Sequence, residues 1–380
     1  MNEPLEELRD TIEALSLEIL DTLSERARTA LAIAHEKQRR GMPVRDPQRE
    51  DLLLARLLQH NHGPFDDATV RSLFRGIIDA CVALAEGGRR RTLRVSSLGG
   101  PPVVVTVKGH TIGAGTACYV AGPCSVESEE QMARVTAGLH KLGVRFLRGG
   151  AFKPRTSPYA FQGLGERGLA LLAAAAEEHG MATITEATSP QNVDLVARYA
   201  DIIQIGARNM ASFDLLRAAG QTGKPVLLKR GFGATIDEWV NAAEYVALSG
   251  SDDIILCERG IRTFSPDTRS TLDLSAVPLA LGRTRLPVAV DVSHAAGRRD
   301  ILAPLAAAAF ASGAQAVMIE VHPDPDMALS DAEQQITVAQ LAALQREVVE
   351  TLTRRATTLL DAADAPVRVV PQCPTPHLEA

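Results

Sequence analysis

Aromatic side chains make up only 4% of this 380-residue chain, with a single tryptophan among them. With 46% hydrophobic residues a large core is still available, but it must be built mainly from Ala, Leu, Val and Ile. Cysteine is also sparse. Cys81, Cys118, Cys124, Cys257 and Cys373 are odd in number and widely scattered, which argues against a disulfide framework and for a reducing compartment. The opening Met-Asn-Glu-Pro-Leu-Glu-Glu has neither a basic nor an apolar stretch, so no export signal is expected. The longest apolar stretch, 301–319, is broken by Pro304, Ser312, Gly313 and Gln315. It reads as a helix, a turn and a strand, not as a membrane span. A net charge of -6 gives no reason to expect nucleic acid or an anionic membrane as partner. The expectation is a cytoplasmic protein, more naturally of two domains than one.

Residues 5 to about 86 carry a helical period. Leu5, Leu8, Ile12, Leu15, Ile19 and Leu23 step by three and four along one face. No Gly or Pro interrupts this run before Gly41-Met42-Pro43, so the helix exceeds 30 residues and is ~50 Å long. Two short helices cannot cover it, which predicts pairing with a second copy. Asp46-Pro47 supplies a cap and a first-turn proline for helix two. Helix three carries Val70, Leu73, Phe74, Ile77, Cys81 and Leu84 as its stripe. Continued past Ile19, the first stripe runs through Arg26 and Lys37. Buried unpaired charge is costly, so this face either binds an anion or sends both cations to the surface or to Glu50.

Beyond Gly87-Gly88-Arg89-Arg90-Arg91, read as a linker, the texture changes. Eight short apolar runs follow, at 119–121, 144–147, 182–185, 202–205, 226–228, 254–256, 288–290 and 316–319, each trailed by a loop and a helical segment. This is the signature of a (β/α)8 barrel. The predicted organisation is α/β: an all-α three-helix domain over 1–88, a linker with a small hairpin over 89–107, a (β/α)8 TIM barrel over 108–356 and a tail over 357–380. Gly-Gly-Pro-Pro at 99–102 marks the expected hairpin, and the Pro-rich tail has no usable pattern.

Barrel enzymes carry their chemistry at the C-terminal ends of strands. At such ends, or just past them, stand Cys124, His294 and Glu320, with Asp331 further on. Arg148, Lys153, Arg155, Arg208, Lys229 and Arg259 lie among them, and Glu186 ends the third run. A mixed sulfur, nitrogen and oxygen metal site ringed by cations suits a phosphorylated, carboxylated substrate reacting with a carbonyl. His322 is a possible competing ligand beside Glu320, or a group on the substrate side. Gly163-Leu164-Gly165-Glu166-Arg167-Gly168, with Glu186 downstream, also fits a dinucleotide-binding fingerprint. That fingerprint needs a strand running straight into its first glycine, whereas here a polar loop intervenes.

The segments 121–127 (Ala-Gly-Pro-Cys-Ser-Val-Glu), 148–159, 204–210, 227–231, 257–263 and 320–325 (Glu-Val-His-Pro-Asp-Pro) together resemble 3-deoxy-D-arabino-heptulosonate 7-phosphate (DAHP) synthase of type Iβ. The resemblance covers about 92–350. It implies condensation of phosphoenolpyruvate, erythrose 4-phosphate and water at the entry to the shikimate pathway, by a homo-oligomer, most simply a tetramer. Carried over residue by residue, Cys124, His294, Glu320 and Asp331 would hold one divalent ion, of manganese, iron, zinc or cobalt. Arg208 and Arg259 would grip the phosphoenolpyruvate phosphate. Arg148, Lys153 and Lys229 would hold its carboxylate and stabilise developing charge. Arg155 and Thr156 would take the erythrose phosphate, and Glu186 would orient the water. The related 3-deoxy-D-manno-octulosonate 8-phosphate synthase, which uses a longer pentose phosphate, is the nearest alternative. The Lys-Pro-Arg-Thr-Ser segment at 153–157 looks like the erythrose-using family.

Residues 5–86 resemble the all-helical chorismate mutase family, through Arg9, Arg26, Lys37, Asp46, Arg49 and Glu50. The resemblance implies a dimer through the helical domains and a pocket for chorismate or prephenate, serving as a mutase, as a feedback sensor, or both. In that family a lysine and a glutamine hydrogen-bond the breaking ether oxygen. Lys37 matches the lysine, but the glutamine position holds Ala85.

Overall fold

The computed structural model describes residues 3–43, 45–85, 93–153, 157 and 159–363. It divides into two compact units, Met1–Leu93 and Arg94–Ala380. The expected linker at 87–91 and the tail beyond 363 lie outside the described residues.

The first unit is all-helical: α1 (Glu3–Arg39), α2 (Pro47–Gln59) and α3 (Asp67–Ala85). Asp46 caps α2 by accepting from the Arg49 N–H, with Pro47 in the first turn. Asp66 does the same for Thr69 at the start of α3. Its small core includes Ala34, Leu54, Ile78 and Cys81. Leu5, Leu8, Ile12, Leu15 and Ile19 are exposed, so the N-terminal half of the α1 stripe has no cover within this chain's described residues. The expected α3 stripe is corrected as well. Cys81 is buried and Val70, Phe74 and Ile77 are half-buried as expected, but Leu73 and Leu84 are exposed and Ile78, outside the expected stripe, is buried.

In the second unit β1 (Val105–Val107) and β2 (His110–Ile112) form an antiparallel hairpin. Its turn is Lys108-Gly109, both at positive φ, the geometry two-residue hairpins prefer. The hairpin is therefore not at 99–102, where Ser97–Gly99 form a 3-10 turn and Pro101 and Pro102 lack the N–H groups a ladder needs.

Eight strands then close a parallel barrel: β3 (Cys118–Gly122), β4 (Phe146–Arg148), β5 (Ala182–Ala187), β6 (Ile202–Ile205), β7 (Val226–Lys229), β8 (Ile254–Glu258), β9 (Val288–Asp291) and β10 (Ala316–Glu320). Closure is made by β10 on β3, with Ala316 opposite Cys118 and Glu320 opposite Gly122. Around it lie α4 (Glu129–Lys141), α5 (Glu166–Glu178), α6 (Pro190–Tyr199), α7 (Phe213–Gln221), α8 (Ile236–Ser249), α9 (Ala276–Arg283), α10 (Val292–Ala296), α11 (Leu302–Ala311) and α12 (Val338–Ala363). The last of these runs beyond 356, where the tail was expected to begin. Most strand positions are fully buried, Val, Ile, Leu and Ala filling both faces. The glycine-rich fingerprint does not form a strand-to-helix turn. β4 ends at Arg148, and Gly165 caps α5 at the far end of a loop. No described helix is long and apolar enough to cross a membrane.

Candidate active site at the barrel mouth

Strand ends converge as the barrel geometry demands, and four donors meet there. Cys124 follows β3, His294 lies on α10 just past β9, Glu320 ends β10, and Asp331 follows in the next loop. One ligand atom from each falls within 4.8 Å of all the others. His294 Nε2 is 3.4 Å from Glu320 Oε1 and 3.8 Å from Asp331 Oδ2, and Cys124 Sγ is 3.4 Å from the same Asp331 oxygen. Gly122 makes this approach possible. Its φ is +149° and a Cβ there would collide with the Arg148 carbonyl, so only glycine lets the chain turn across β4 towards Cys124.

The donor set fits a first-row divalent ion, with one soft thiolate, one imidazole and two carboxylates. Burial lowers the His294 pKa despite Asp291 and Glu320, the direction that favours the imidazole form ligation requires. Burial would raise Glu320, but His294, Arg148 and Lys153 outweigh it and hold the carboxylate charged. Asp331 is depressed in the same way, by Arg269 and His294. Burial, with Glu320 adding to it, pushes the Cys124 thiol up to about 11. A thiol so placed ionises readily only against a metal cation.

Around these donors stand the predicted cations. Arg148, Lys153, Arg208, Lys229 and Arg259 line one cavity together with Glu186, His294 and Asp331. Arg148 Nη1 is 2.5 Å from Glu320 Oε1, and Lys229 Nζ is 2.5 Å from Asp291 Oδ2. Lys153 Nζ donates to the Cys124 carbonyl at 2.8 Å and lies 3.1 Å from its sulfur. Arg259 is aimed by Ser270 Oγ (2.8 Å) and by the His294 carbonyl (2.9 Å). Glu186 Oε2 accepts from Gln204 at 3.0 Å, and Gly206 packs so closely on this carboxylate that a Cβ would strike it. Arg155 and Thr156 lie outside the described residues.

Several residues at the site escape a reading of strand ends. Phe232 presents its ring to the guanidinium groups of Arg259, Arg262 and Arg208, at 4.7, 5.2 and 5.8 Å. Arg269 Nη1 bonds Asp331 Oδ2 (3.0 Å) and Gln334 Oε1 (2.9 Å) from the long loop after β8. Asp291 does have a signal, as the acid three positions before His294 where β9 ends. His322 is not a member of the donor cluster. Its Nδ1 accepts from the Asp324 N–H, and its Nε2 faces Glu127.

The helical unit holds a second cavity, of about 580 Å³, lined by Arg26, Lys37, Asp46, Arg49 and Glu50 along with Ile33, Ile78, Cys81 and Ala85. Arg26 Nη1 donates to Cys81 Sγ at 2.9 Å, and Lys37 lies 4.0 Å from Asp46. Glu50 pairs with Arg45 and Arg75 rather than with the α1 cations. Arg9 does not line this cavity and pairs with Glu6 on its own exposed face.

Comparison with known proteins agrees with both units. The DAHP synthetase I family matches residues 102–357, and chorismate mutase type II matches residues 8–86. The phospho-2-dehydro-3-deoxyheptonate aldolase of Thermotoga maritima is 53% identical over 245 residues, 64% of this chain and 72% of that one. A 2-dehydro-3-deoxyphosphooctonate aldolase of Granulibacter bethesdensis is 35% identical, over 58% of this chain and 84% of its own. The crystal structure of the Thermotoga maritima DAHP synthase superposes with a TM-score of 0.63 at 49% identity, covering 72% of this chain and 78% of that one. A closed (β/α)8 barrel with one thiolate, one imidazole and two carboxylates converging at its mouth defines a barrel synthase whose donor set fits a divalent ion. The chain belongs to the DAHP synthetase I family and carries a chorismate mutase type II domain at its N-terminus.

Proposed function

We propose that the barrel condenses phosphoenolpyruvate with erythrose 4-phosphate and water, giving DAHP and inorganic phosphate. One observation carries the reading: the four donors converge within 4.8 Å beside a cavity walled by six cations and, apart from the donor Asp331, by the Glu186 carboxylate. Cys124, His294, Glu320 and Asp331 would hold a divalent ion, which when bound polarises the sugar's aldehyde oxygen. Arg208 and Arg259 hold the phosphate of the enol ester, their guanidinium forks suited to its oxygens. Arg148, Lys153 and Lys229 face its carboxylate. The new bond joins C3 of the enol ester to C1 of the sugar. Lys153 Nζ, close to the Cys124 sulfur, delivers a proton to the oxygen that becomes the hydroxyl. Glu186, held by Gln204, orients the water that adds at C2, after which the C2–O bond breaks and phosphate leaves. Arg155 and Thr156 complete the reading as holders of the erythrose phosphate.

Greater similarity to a heptonate than to an octonate aldolase supports the four-carbon sugar. The deciding experiment follows loss of phosphoenolpyruvate in metal-depleted protein, with ions of manganese, iron, zinc and cobalt restored singly. Erythrose 4-phosphate and arabinose 5-phosphate are compared in parallel. Full turnover after exhaustive chelation, or preference for arabinose phosphate, would end this reading.

For the helical unit the proposal is a pocket for chorismate or prephenate, with mutase activity, feedback control of the barrel, or both. Arg26, Lys37, Arg49 and Arg56 line the cavity against only Asp46 and Glu50, and this surplus of positive charge on a largely apolar wall suits a small dicarboxylate. The uncovered apolar face of α1 supports pairing through this unit, and hence a homodimer or tetramer that works in the cytoplasm. Arg49→Ala should abolish prephenate binding and any inhibition by it. Inhibition that persists in this variant would sever the pocket from control.

A further inference from the structure

Two of the four metal donors stand on regular structure. Glu320 is the last residue of β10, and His294 lies on α10, where Asp291 accepts from its backbone N–H and contacts its Nδ1. The other two do not. Cys124 lies in the loop after β3, and Asp331 lies eleven positions beyond Glu320 with a left-handed φ of +46°. Few residues other than glycine adopt that conformation unless their surroundings hold them there. Regular structure therefore fixes neither loop, and a direct tie between them would set both donors.

We infer that Gln335, together with the Ser125–Ser330 pair, is the positioning clamp that presents Cys124 and Asp331 to the metal. The Gln335 side chain is fully buried. Its Oε1 accepts from the Cys124 N–H at 2.9 Å, and its Nε2 donates to the Ser330 carbonyl at 2.7 Å. A single planar amide thus joins the backbone of one ligand to that of the residue before the other. Beside it, Ser125 Oγ and Ser330 Oγ are 2.6 Å apart and buried. Glu127 Oε1 strengthens this contact by accepting from Ser125 Oγ and the Leu329 N–H. The clamp is also referenced to the barrel. The Ile336 N–H donates to the Glu320 carbonyl, and the His322 N–H donates to the Ile336 carbonyl, so residue 336 runs beside the end of β10. The neighbouring Gln334 binds the Glu320 carboxylate through Nε2. Consecutive glutamines therefore serve different ligands, Gln334 from the end of a 3-10 turn and Gln335 from the extended residue that follows it.

This inference rests on the metal-binding reading above, and the experiment separates the two. Cobalt(II) is titrated into metal-depleted full-length protein in competition with a chromophoric chelator, while the thiolate-to-cobalt absorption reports the Cys124 bond. Gln335→Met keeps the volume but removes both hydrogen bonds. It should weaken cobalt binding by about 10–100-fold and diminish the absorption. Ser330→Ala should weaken it by about tenfold or less. Thermal unfolding of the metal-free variants is measured alongside. A fall in melting temperature with unchanged cobalt affinity would make Gln335 merely structural and overturn the clamp. If Gln335→Met does not fold, Ser125→Ala and Ser330→Ala decide by the same criterion. Failure of the wild type itself to bind cobalt would instead refute the metal site.

Discussion

Asp291 Oδ2 lies 2.8 Å from His294 Nδ1, and the same oxygen meets Lys229 Nζ at 2.5 Å. One buried carboxylate therefore orients a proposed metal ligand and neutralises a lysine that lines the cavity. With Nδ1 occupied, Nε2 is the nitrogen turned towards Glu320 and Asp331. Burial alone would raise the Asp291 carboxyl, but His294 and Lys229 hold it well below the ordinary carboxylate range.

Asp291→Asn should weaken metal binding by about 10–100-fold. Leaving Lys229 without its counter-charge should also cost the metal-free protein about 3–5 kcal/mol. The pH dependence has a definite sign. A depressed carboxyl stabilises the fold above its unfolded pKa of about 3.9, and that contribution disappears as pH falls towards the folded value. Stability of the Asn variant should therefore vary less between about pH 5 and pH 2. Chelator competition and urea titrations check both effects, and parallel acid limbs for the two proteins would contradict the second.

The ring of Phe232 serves three arginines, including both proposed phosphate holders. Cation–π contacts of this kind are worth roughly 0.5–1 kcal/mol each at exposed sites. Phe232→Leu should raise the KM for phosphoenolpyruvate about two- to fivefold with little change in kcat. A selective loss of kcat would show that the ring acts on chemistry instead.

Cysteine labelling in metal-free protein should follow thiol burial. Burial pushes Cys118 up to about 12, so at pH 8 only about one thiol in ten thousand is ionised. Alkylation of Cys118 should be slow at that pH and accelerate about tenfold per unit as pH rises. Peptide mass mapping after timed iodoacetamide treatment measures this. Rapid, pH-independent modification would be inconsistent with a half-buried thiol whose ionisation is suppressed in this way.

Ala85 lines the helical cavity, at the position where the resemblance to chorismate mutases implies a glutamine donor. Supplying a hydrogen bond to developing negative charge is worth about 10²–10³ in rate. Ala85→Gln should accelerate prephenate formation by up to that factor, measured against the wild type under identical conditions. No gain would place the limitation elsewhere, for instance in the Arg26–Cys81 contact.

Most of the barrel is legible in the chain. Its strand cores match the apolar runs because parallel strands buried on both faces must be apolar throughout, and run ends locate the donors because barrel chemistry sits there. The α1 stripe is equally plain, yet its burial is not, since a helical period states which face is apolar and not what covers it. The hairpin was misplaced because Gly-Gly-Pro-Pro is a strong turn signal, while Lys108-Gly109 discloses its turn only once both residues adopt positive φ.

By itself the sequence determined the architecture and which residues stand at the strand ends, because each depends on residue type at a position fixed by local periodicity, while the four donors as a set followed from the family resemblance. Tertiary structure alone decided how they are held. Arg269, Gln334 and Gln335 sit in irregular loops with no period to betray them, and they reach the site only because β10 closes against β3 almost two hundred residues away in the chain. Hydrogen bonds between such distant loops depend on the register of that closure, and register belongs to the folded barrel rather than to any local stretch of sequence.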